Sequence, residues 1–385
     1  TVLLDGWPLT FDVAPRIIAG RTMVPFRAIA EALGVEVLWN DANRSIQAFG
    51  PDAFVLMRID QPTMFVNGRP AELDVPPQIV SSRTLVPLRA FSDAFGAKVD
   101  WDEERFTVSI TSPVRKMRML GFYAIRSFPN RHLVPKFSDV SYGWSTLNAD
   151  GTLNLHAAEY FWPEPAGEIT PEVLLQEAAA AGTRRFLLVH DTDADLRTTK
   201  IVLDEALTQR AVESIAALVT EKGFDGVNLD LENLGWSERG EELERLQAGY
   251  VRFVTAVADR LRPAGKQVIV SVQPLNGWYF GYDYAALAQV ADTLHLMAHD
   301  YGPEKDQPER TEAVDEGIRT ALAAVGAENR SKLMLGVLSN ETAETLVQKI
   351  GLAKRYNLGG IAFWTIGAMS EAQLGALDGA VTRIK

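Results

Sequence analysis

From residue 113 to the C-terminus, strand-like and helix-like stretches alternate, and that alternation leaves few folds open. Short apolar runs fall near Met119–Tyr123, Val140–Trp144, Arg185–Val189, Gly226–Glu232, Gln267–Gln273, Thr293–Ala298, Lys332–Val337 and Gly360–Trp364. Helical patterns cover Pro171–Ala181, Thr208–Lys222, Ser237–Leu261, Asp283–Val290, Thr311–Ala324, Ala343–Tyr356 and Glu371–Arg383. Strands separated by helices predict a parallel sheet with both faces covered. Eight such strands in about 273 residues match the size and order of an α/β fold, the (β/α)8 barrel. The step from the first strand to the second lacks a clear long helix.

One of these strands breaks the apolar rule. In Asp225-Gly226-Val227-Asn228-Leu229-Asp230-Leu231-Glu232, Val227, Leu229 and Leu231 share one face, while Asn228, Asp230 and Glu232 share the other. A central parallel strand is normally apolar on both faces. Two carboxyls and an amide there are costly unless hydrogen-bonded or chemically employed. In a barrel, the active site lies at the C-terminal strand ends. Other polar and aromatic residues fall at such ends: Gln273 leading to Trp278, His299-Asp300-Tyr301, Trp364, and at the first two strands Tyr123, Tyr142 and Trp144. Carboxyls among aromatic rings suggest a carbohydrate site, since acids protonate glycosidic oxygen and flat rings stack on sugar faces. Asp225 is off the polar parity and reads as structural. His190 and His295 lack metal-ligand spacing and also read as structural. Nothing in the pattern asks for a metal or a cofactor.

Residues 1–112 are a tandem repeat with an offset of 62 positions. Arg21-Thr22-Met23-Val24-Pro25-Phe26-Arg27-Ala28 returns as Arg83-Thr84-Leu85-Val86-Pro87-Leu88-Arg89-Ala90, and Trp39 returns as Trp101. Each copy reads as short strands with a turn at Asp5-Gly6 or Asn67-Gly68, a helix (Phe26–Leu33, Leu88–Phe95) stopped by Gly34 or Gly96, then a hairpin. The predicted architecture is therefore a small α+β module of two repeats (1–112) before a barrel (113–385). Trp39 and Trp101 fit hairpin packing better than sugar platforms.

The formal net charge is -12, shared between both parts, which argues against nucleic acid and against electrostatic attachment to anionic membranes. There is no cysteine, so disulfides, zinc–thiolate sites and cysteine nucleophiles are excluded. No apolar run is long enough to span a bilayer. The chain begins at Thr1. We expect that a leader or anchor was removed.

Two resemblances sharpen this reading. The V-P-x-R…L-G…V-x-W grammar of residues 1–112 resembles the copper amine oxidase N-terminal-like (stalk) domain. No copper site is expected, because the module holds neither His nor Cys. Such a module implies either attachment to a wall or a spacer without its own ligand. The stretch 225–232 resembles the D-G-x-D-x-D-x-E signature of glycoside hydrolase family 18. Met297-Ala298-His299-Asp300-Tyr301 resembles that family's M-x-Y-D motif, and Gly359–Trp364 its eighth strand. Within the family the chain is similar to the spore cortex-lytic N-acetylglucosaminidases, which implies a place outside the cell, on the wall or the spore.

The resemblance implies a substrate-assisted retaining hydrolysis of β-1,4 bonds next to N-acetylglucosamine in peptidoglycan, an exception to the two-carboxylate scheme. Glu232 would be the general acid, Asp230 would orient the acetamide, and Asn228 would complete the catalytic set. Repulsion from Asp230 would keep Glu232 protonated near neutral pH. His299, Asp300, Trp364, Gln273, Tyr301, Trp278 and Tyr123 would bind substrate. Asn228 stands where the family has Asp, and His299 where it has Tyr, which bears on pH optimum and rate. About 22 residues between the seventh and eighth strands leave no room for an inserted domain, so a shallow groove is expected. Chitin hydrolysis, or sugar binding without hydrolysis, are the other readings.

Overall fold

The computed structural model describes residues 1–299, 301 and 307–384. It divides into two compact units. One comprises Thr1–Arg115, Val347–Asn357 and Ala376–Val381. The other comprises Lys116–Leu346, Leu358–Gly375 and Thr382–Lys385.

The larger unit is a closed parallel barrel of eight strands: β1 (Arg115–Tyr123), β2 (Asp139–Leu147), β3 (Arg184–Asp191), β4 (Gly226–Leu231), β5 (Gln267–Val272), β6 (Thr293–Leu296), β7 (Leu333–Leu338) and β8 (Gly360–Trp364). Each pairs in parallel with the next, and β8 closes onto β1 through Met119↔Ile361 and Leu120↔Ala362. The predicted strands are all present.

Local chemistry starts several helices where the sequence placed them. Thr170 caps Pro171–Ala180 by accepting from Val173 N, with proline in the first turn. Asp204 caps Glu205–Glu221 through Leu207 N, and Asp283 caps Tyr284–Val290 through Ala286 N. The β1–β2 connection is a 3₁₀ segment, Phe128–Lys136 with Pro135 inside, which accounts for the missing helical pattern. The last helix stops at Ala380, three residues before its expected end. β-Branched Val381 and Thr382 favour the extended backbone seen at Val381–Arg383.

The two ends of the barrel differ in chemistry. At the N-terminal end, Asp139 is fully buried between two guanidiniums, Arg118 at 2.9 Å and Arg184 at 2.6 Å. Arg118 also donates to Thr293 Oγ1, and Arg184 to Gln267 Oε1, so Arg118 near the start of β1 is tied to the first residues of four other strands. Pairing from both sides is what makes a buried carboxylate tolerable. The interior above it is apolar on one side, with Leu120, Phe122, Phe186, Leu188, Ile269, Met334 and Ala362 packed together. The remaining interior positions are polar and lead to the site.

The smaller unit interleaves its two repeats. Strand Arg21–Pro25 pairs antiparallel with Arg83–Pro87, and Val24 faces Val86, its own counterpart 62 positions on. A pseudo-twofold axis therefore passes between those two valines. It is marked by reciprocal ion pairs, Arg21 with Asp74 at 2.5 Å and Arg83 with Asp12. The hairpin Lys98–Asp102/Thr107–Thr111 of the second copy takes Val2–Leu4 of the first as its neighbour. The hairpin Glu36–Asn40/Ser45–Phe49 reaches Thr63–Val66 of the second copy through Phe54–Arg58. A shared apolar core, including Ile29, Val55, Phe91 and Ile110, lies between the sheets.

Candidate active site

The site grows from the polar interior ladder. Asn228 on β4 donates from Nδ2 to Ser141 Oγ on β2 at 3.0 Å. Its Oδ1 accepts from Ser271 Oγ on β5 at 3.2 Å, and Ser271 also contacts His295 Nδ1 on β6 at 3.0 Å. Burial pushes the His295 imidazole down to about 3, so the ring is neutral at any working pH. A neutral ring protonated on Nδ1 donates to Ser271, which leaves the serine proton for Asn228. The amide at position 228 is thus satisfied on both sides by short neutral side chains.

Asp230 stands one inward position further along β4. It is 3% exposed, and its Oδ1 has no hydrogen-bond partner within the protein. Burial first, and the charge of Glu232 second, raise its pKa from 3.8 to about 7; His190, Ser271 and His299 act in the opposite direction. The sequence reading keeps the proton on Glu232; the structure raises Asp230, the more deeply buried carboxyl of the two. Glu232 completes the row, with 28% of its side chain exposed. Its backbone N–H donates to Asp191 O, extending the β3–β4 ladder by one residue.

The loop after Glu232 is held by Gln273 at the end of β5. Gln273 Oε1 accepts from Asn233 N at 2.6 Å, and its Nε2 donates to Asn233 Oδ1 at 3.0 Å. Asn233 sits at φ +66°, and the double hydrogen bond fixes that conformation. The Tyr282 hydroxyl lies between Leu231 O and Gln273 Oε1, at 2.7 and 3.1 Å. Gln273 therefore acts on the backbone beside Glu232.

The other expected residues divide. Trp364 is half-buried at the end of β8, 5.3 Å edge-on from Phe122 and 6.4 Å from Tyr160, on the interior face. His299 lies near enough to Asp230 and His295 to act on both electrostatically. Tyr301 is directed towards Asn276 and the helix Thr311–Val325, where its hydroxyl fills the space a Cβ on Gly317 would need. Trp278 is 63% exposed, in the loop that follows β5. Tyr123 corrects the expectation made for it. Phe122 takes the interior position, so Tyr123 faces the opposite way and packs on Tyr142 at 5.2 Å and Trp144 at 6.2 Å. Asp300 lies outside the described residues. Asp225 is structural, binding Arg185 at 2.8 Å and accepting from its backbone N–H.

Two residues join the site that the sequence did not assign to it. His190 at the end of β3 is opposite Asp230 in the strand register, and its Nε2 is 3.6 Å from Glu232 Oε1. Tyr160 stacks on that imidazole, with ring centroids 4.0 Å apart and 12° between planes. The signal was available: Phe186, Leu188 and His190 share the interior parity of β3.

Comparison with known proteins adds to this geometry. Residues 192–340 match the family described as Glycosyl hydrolases family 18, and residues 3–110 match the Copper amine oxidase N-terminal domain. A stretch of 130 residues is 26% identical to the putative sporulation-specific glycosylase YdhD of Bacillus subtilis, covering 33% of this chain and 29% of that protein. The chain spans only about a third of the curated relatives it matches. Among solved structures, a chitinase from Chromobacterium violaceum superposes with a TM-score of 0.57 at 16% identity, over 68% of this chain and 98% of that one. The spore cortex-lytic enzyme SleL of Bacillus cereus gives 0.57 at 18% identity, over 71% and 77%. The barrel thus carries a match to the family 18 glycosyl hydrolases, and the N-terminal unit a match to the copper amine oxidase N-terminal domain.

Proposed function

We propose that this family 18 barrel hydrolyses β-1,4 bonds beside N-acetylglucosamine in peptidoglycan of the cell wall or spore cortex, with retention of configuration. The observation that carries the reading is the row Asn228–Asp230–Glu232. It offers a partly exposed carboxyl beside a buried one whose Oδ1 is left without a protein partner. A substrate acetamide N–H would supply the missing hydrogen bond, and a buried acceptor left unmade is costly.

In this mechanism protonated Glu232 gives its proton to the glycosidic oxygen as the C1–O bond breaks. The carbonyl oxygen of the substrate's own acetamide forms the new bond to C1, giving an oxazolinium. Asp230 orients the acetamide and balances its developing positive charge. Water then attacks C1, breaking its bond to the acetamide oxygen and restoring the acetamide, and Glu232 takes the proton from that water. A positioned acid contributes roughly 10²–10⁴-fold in rate. Trp364 would form the floor under the sugar, with the ring face available for stacking.

The relative named as a sporulation-specific glycosylase supports a wall substrate over chitin. In the N-terminal unit a cavity of about 540 Å³, bordered by Trp101, Arg21, Asp74 and Arg89, supports a wall-attachment role for residues 1–112. No helix among the described residues is long and apolar enough to cross a membrane.

The test is digestion of purified spore cortex and vegetative wall, with products identified by mass spectrometry, beside chitooligosaccharides. New reducing N-acetylglucosamine ends from wall are expected. Glu232→Gln should lower turnover by about 10²-fold or more while sugar binding persists. Cleavage of chitin alone would move the substrate class, and binding without turnover in the wild type would make the protein a lectin.

A further inference from the structure

We propose that His190 is a positioning residue of the hydrolytic centre, holding the Glu232 carboxyl in place and setting the pH at which the Asp230–Glu232 pair gives up its proton. The inference rests on the reading of Glu232 as acid and adds a third member to its proton-bearing group.

Four observations converge on it. Parallel register puts His190 directly opposite Asp230. The ring presents Nε2 to Glu232 Oε1 at 3.6 Å, while Tyr160 covers its face at 4.0 Å, so the imidazole plane is fixed by stacking. One ligand atom from each of His190, Asp230 and Glu232 lies within 4.8 Å of the others. The ring is largely buried, with 13% of its side chain exposed, so its charge acts on the carboxyls with little screening by water.

Among the described residues, the charged and titratable groups around His190 are few. β4 contributes Asp230 and Glu232. Asp191 follows on its own strand, paired with Arg197 at 3.4 Å. Tyr160 and Glu159 come from the β2–β3 connection, and His299 lies beyond Asp230. Burial alone would push the imidazole down. The Glu232 carboxyl 3.6 Å away and the charges of Asp230 and Asp191 outweigh it, and His190 ends above its ordinary value. An imidazolium at this place favours the ionised form of both carboxyls, so the acid's proton is released at lower pH than it would be beside a neutral ring. The His–Glu contact also fixes which way the carboxyl faces.

The experiment compares pH profiles of kcat/KM for wild type and His190→Phe, which keeps an aromatic ring against Tyr160. The alkaline limb is expected to move up by about one pH unit in the variant, as the pair keeps its proton longer. His190→Gln serves as a second variant should phenylalanine disturb folding. An activity-independent reading uses imidazole ¹H–¹³C correlation spectra, with the His190 signal identified by its loss in His190→Phe. In Glu232→Gln, which retains the ring, the His190 midpoint should fall towards or below the ordinary value near 6.5. Unmoved profiles in both His190 variants, or a His190 midpoint indifferent to Glu232→Gln, would overturn the proposal. Failure of the hydrolase reading looks different: the wild type itself would not turn over, while the His190 titration would still respond to position 232.

Discussion

Burying the Asp230 carboxyl costs the fold stability, and the sign of that cost with pH can be worked out. Its folded pKa is about 7 and its unfolded value is near 3.8, so the folded state holds the extra proton between those limits. Stability therefore falls as pH rises from about 4 to 7 and stays at the lower level above that. Asp230→Asn removes the titration, and should gain roughly 2–4 kcal/mol relative to wild type at pH 8 and little at pH 4. Thermal melts at the two pH values check this: a gap that does not widen with pH would refute the burial argument. Turnover should be lost in the same variant, as expected where a site is held against its own stability. At this scale the sequence was informative by parity. Alternation alone set Asn228, Asp230 and Glu232 on one face, because the period of a strand is two. The same rule, applied to β3, would have found His190. It went unused there because a lone histidine in an apolar run reads as a core residue until register places a carboxyl across from it. Tyr123 failed by one residue, the smallest error a strand allows and one that reverses the face.

At the scale of elements, the position of Glu232 depends on two loops that touch through glycine. Gly235, in the loop after β4, has φ +75°, and a Cβ there would lie 2.4 Å from Gly281 N in the loop after β5. Gly281 N in turn donates to Leu234 O at 2.9 Å. A methyl group at 235 would strain the backbone and part the two loops, pulling on Asn233 and its double hydrogen bond to Gln273. Gly235→Ala should therefore reduce kcat by about tenfold or more, since small displacements of catalytic groups are expensive. Its effect on Tm should be only a few degrees, because the loop is peripheral to the barrel core. Wild-type kcat in a folded Gly235→Ala protein would show that the loops do not position the acid. Strand and helix order was legible because periodicity and caps are local. The Gly235–Gly281 approach was not, since it depends on two loops 46 positions apart meeting in space. The repeat offers the same contrast. Its 62-residue period was plain, yet only the structure shows that Val24 pairs with Val86 and that each hairpin borrows strands from the other copy.

For the whole molecule the relevant quantity is charge. The chain carries a formal net charge of -12 and a sequence pI near 5.0, with neither part basic. A peptidoglycan mesh presents carboxylates on its peptide stems, so enzyme and proposed substrate repel at neutral pH. Repulsion between solvated charges reaches about 30 Å at 0.01 M salt and about 8 Å at 0.15 M. Approach to a mesh would be slowed at low salt, whereas an uncharged chitooligosaccharide would be unaffected. The initial rate on insoluble wall should therefore rise several-fold between 0.01 and 0.15 M salt, with the oligosaccharide rate flat over the same range. Rates measured side by side on the two substrates isolate the field from any effect of salt on the fold. The opposite slope on wall, falling with salt, would mean that repulsion by the overall charge does not govern the encounter, and would refute the argument from net charge.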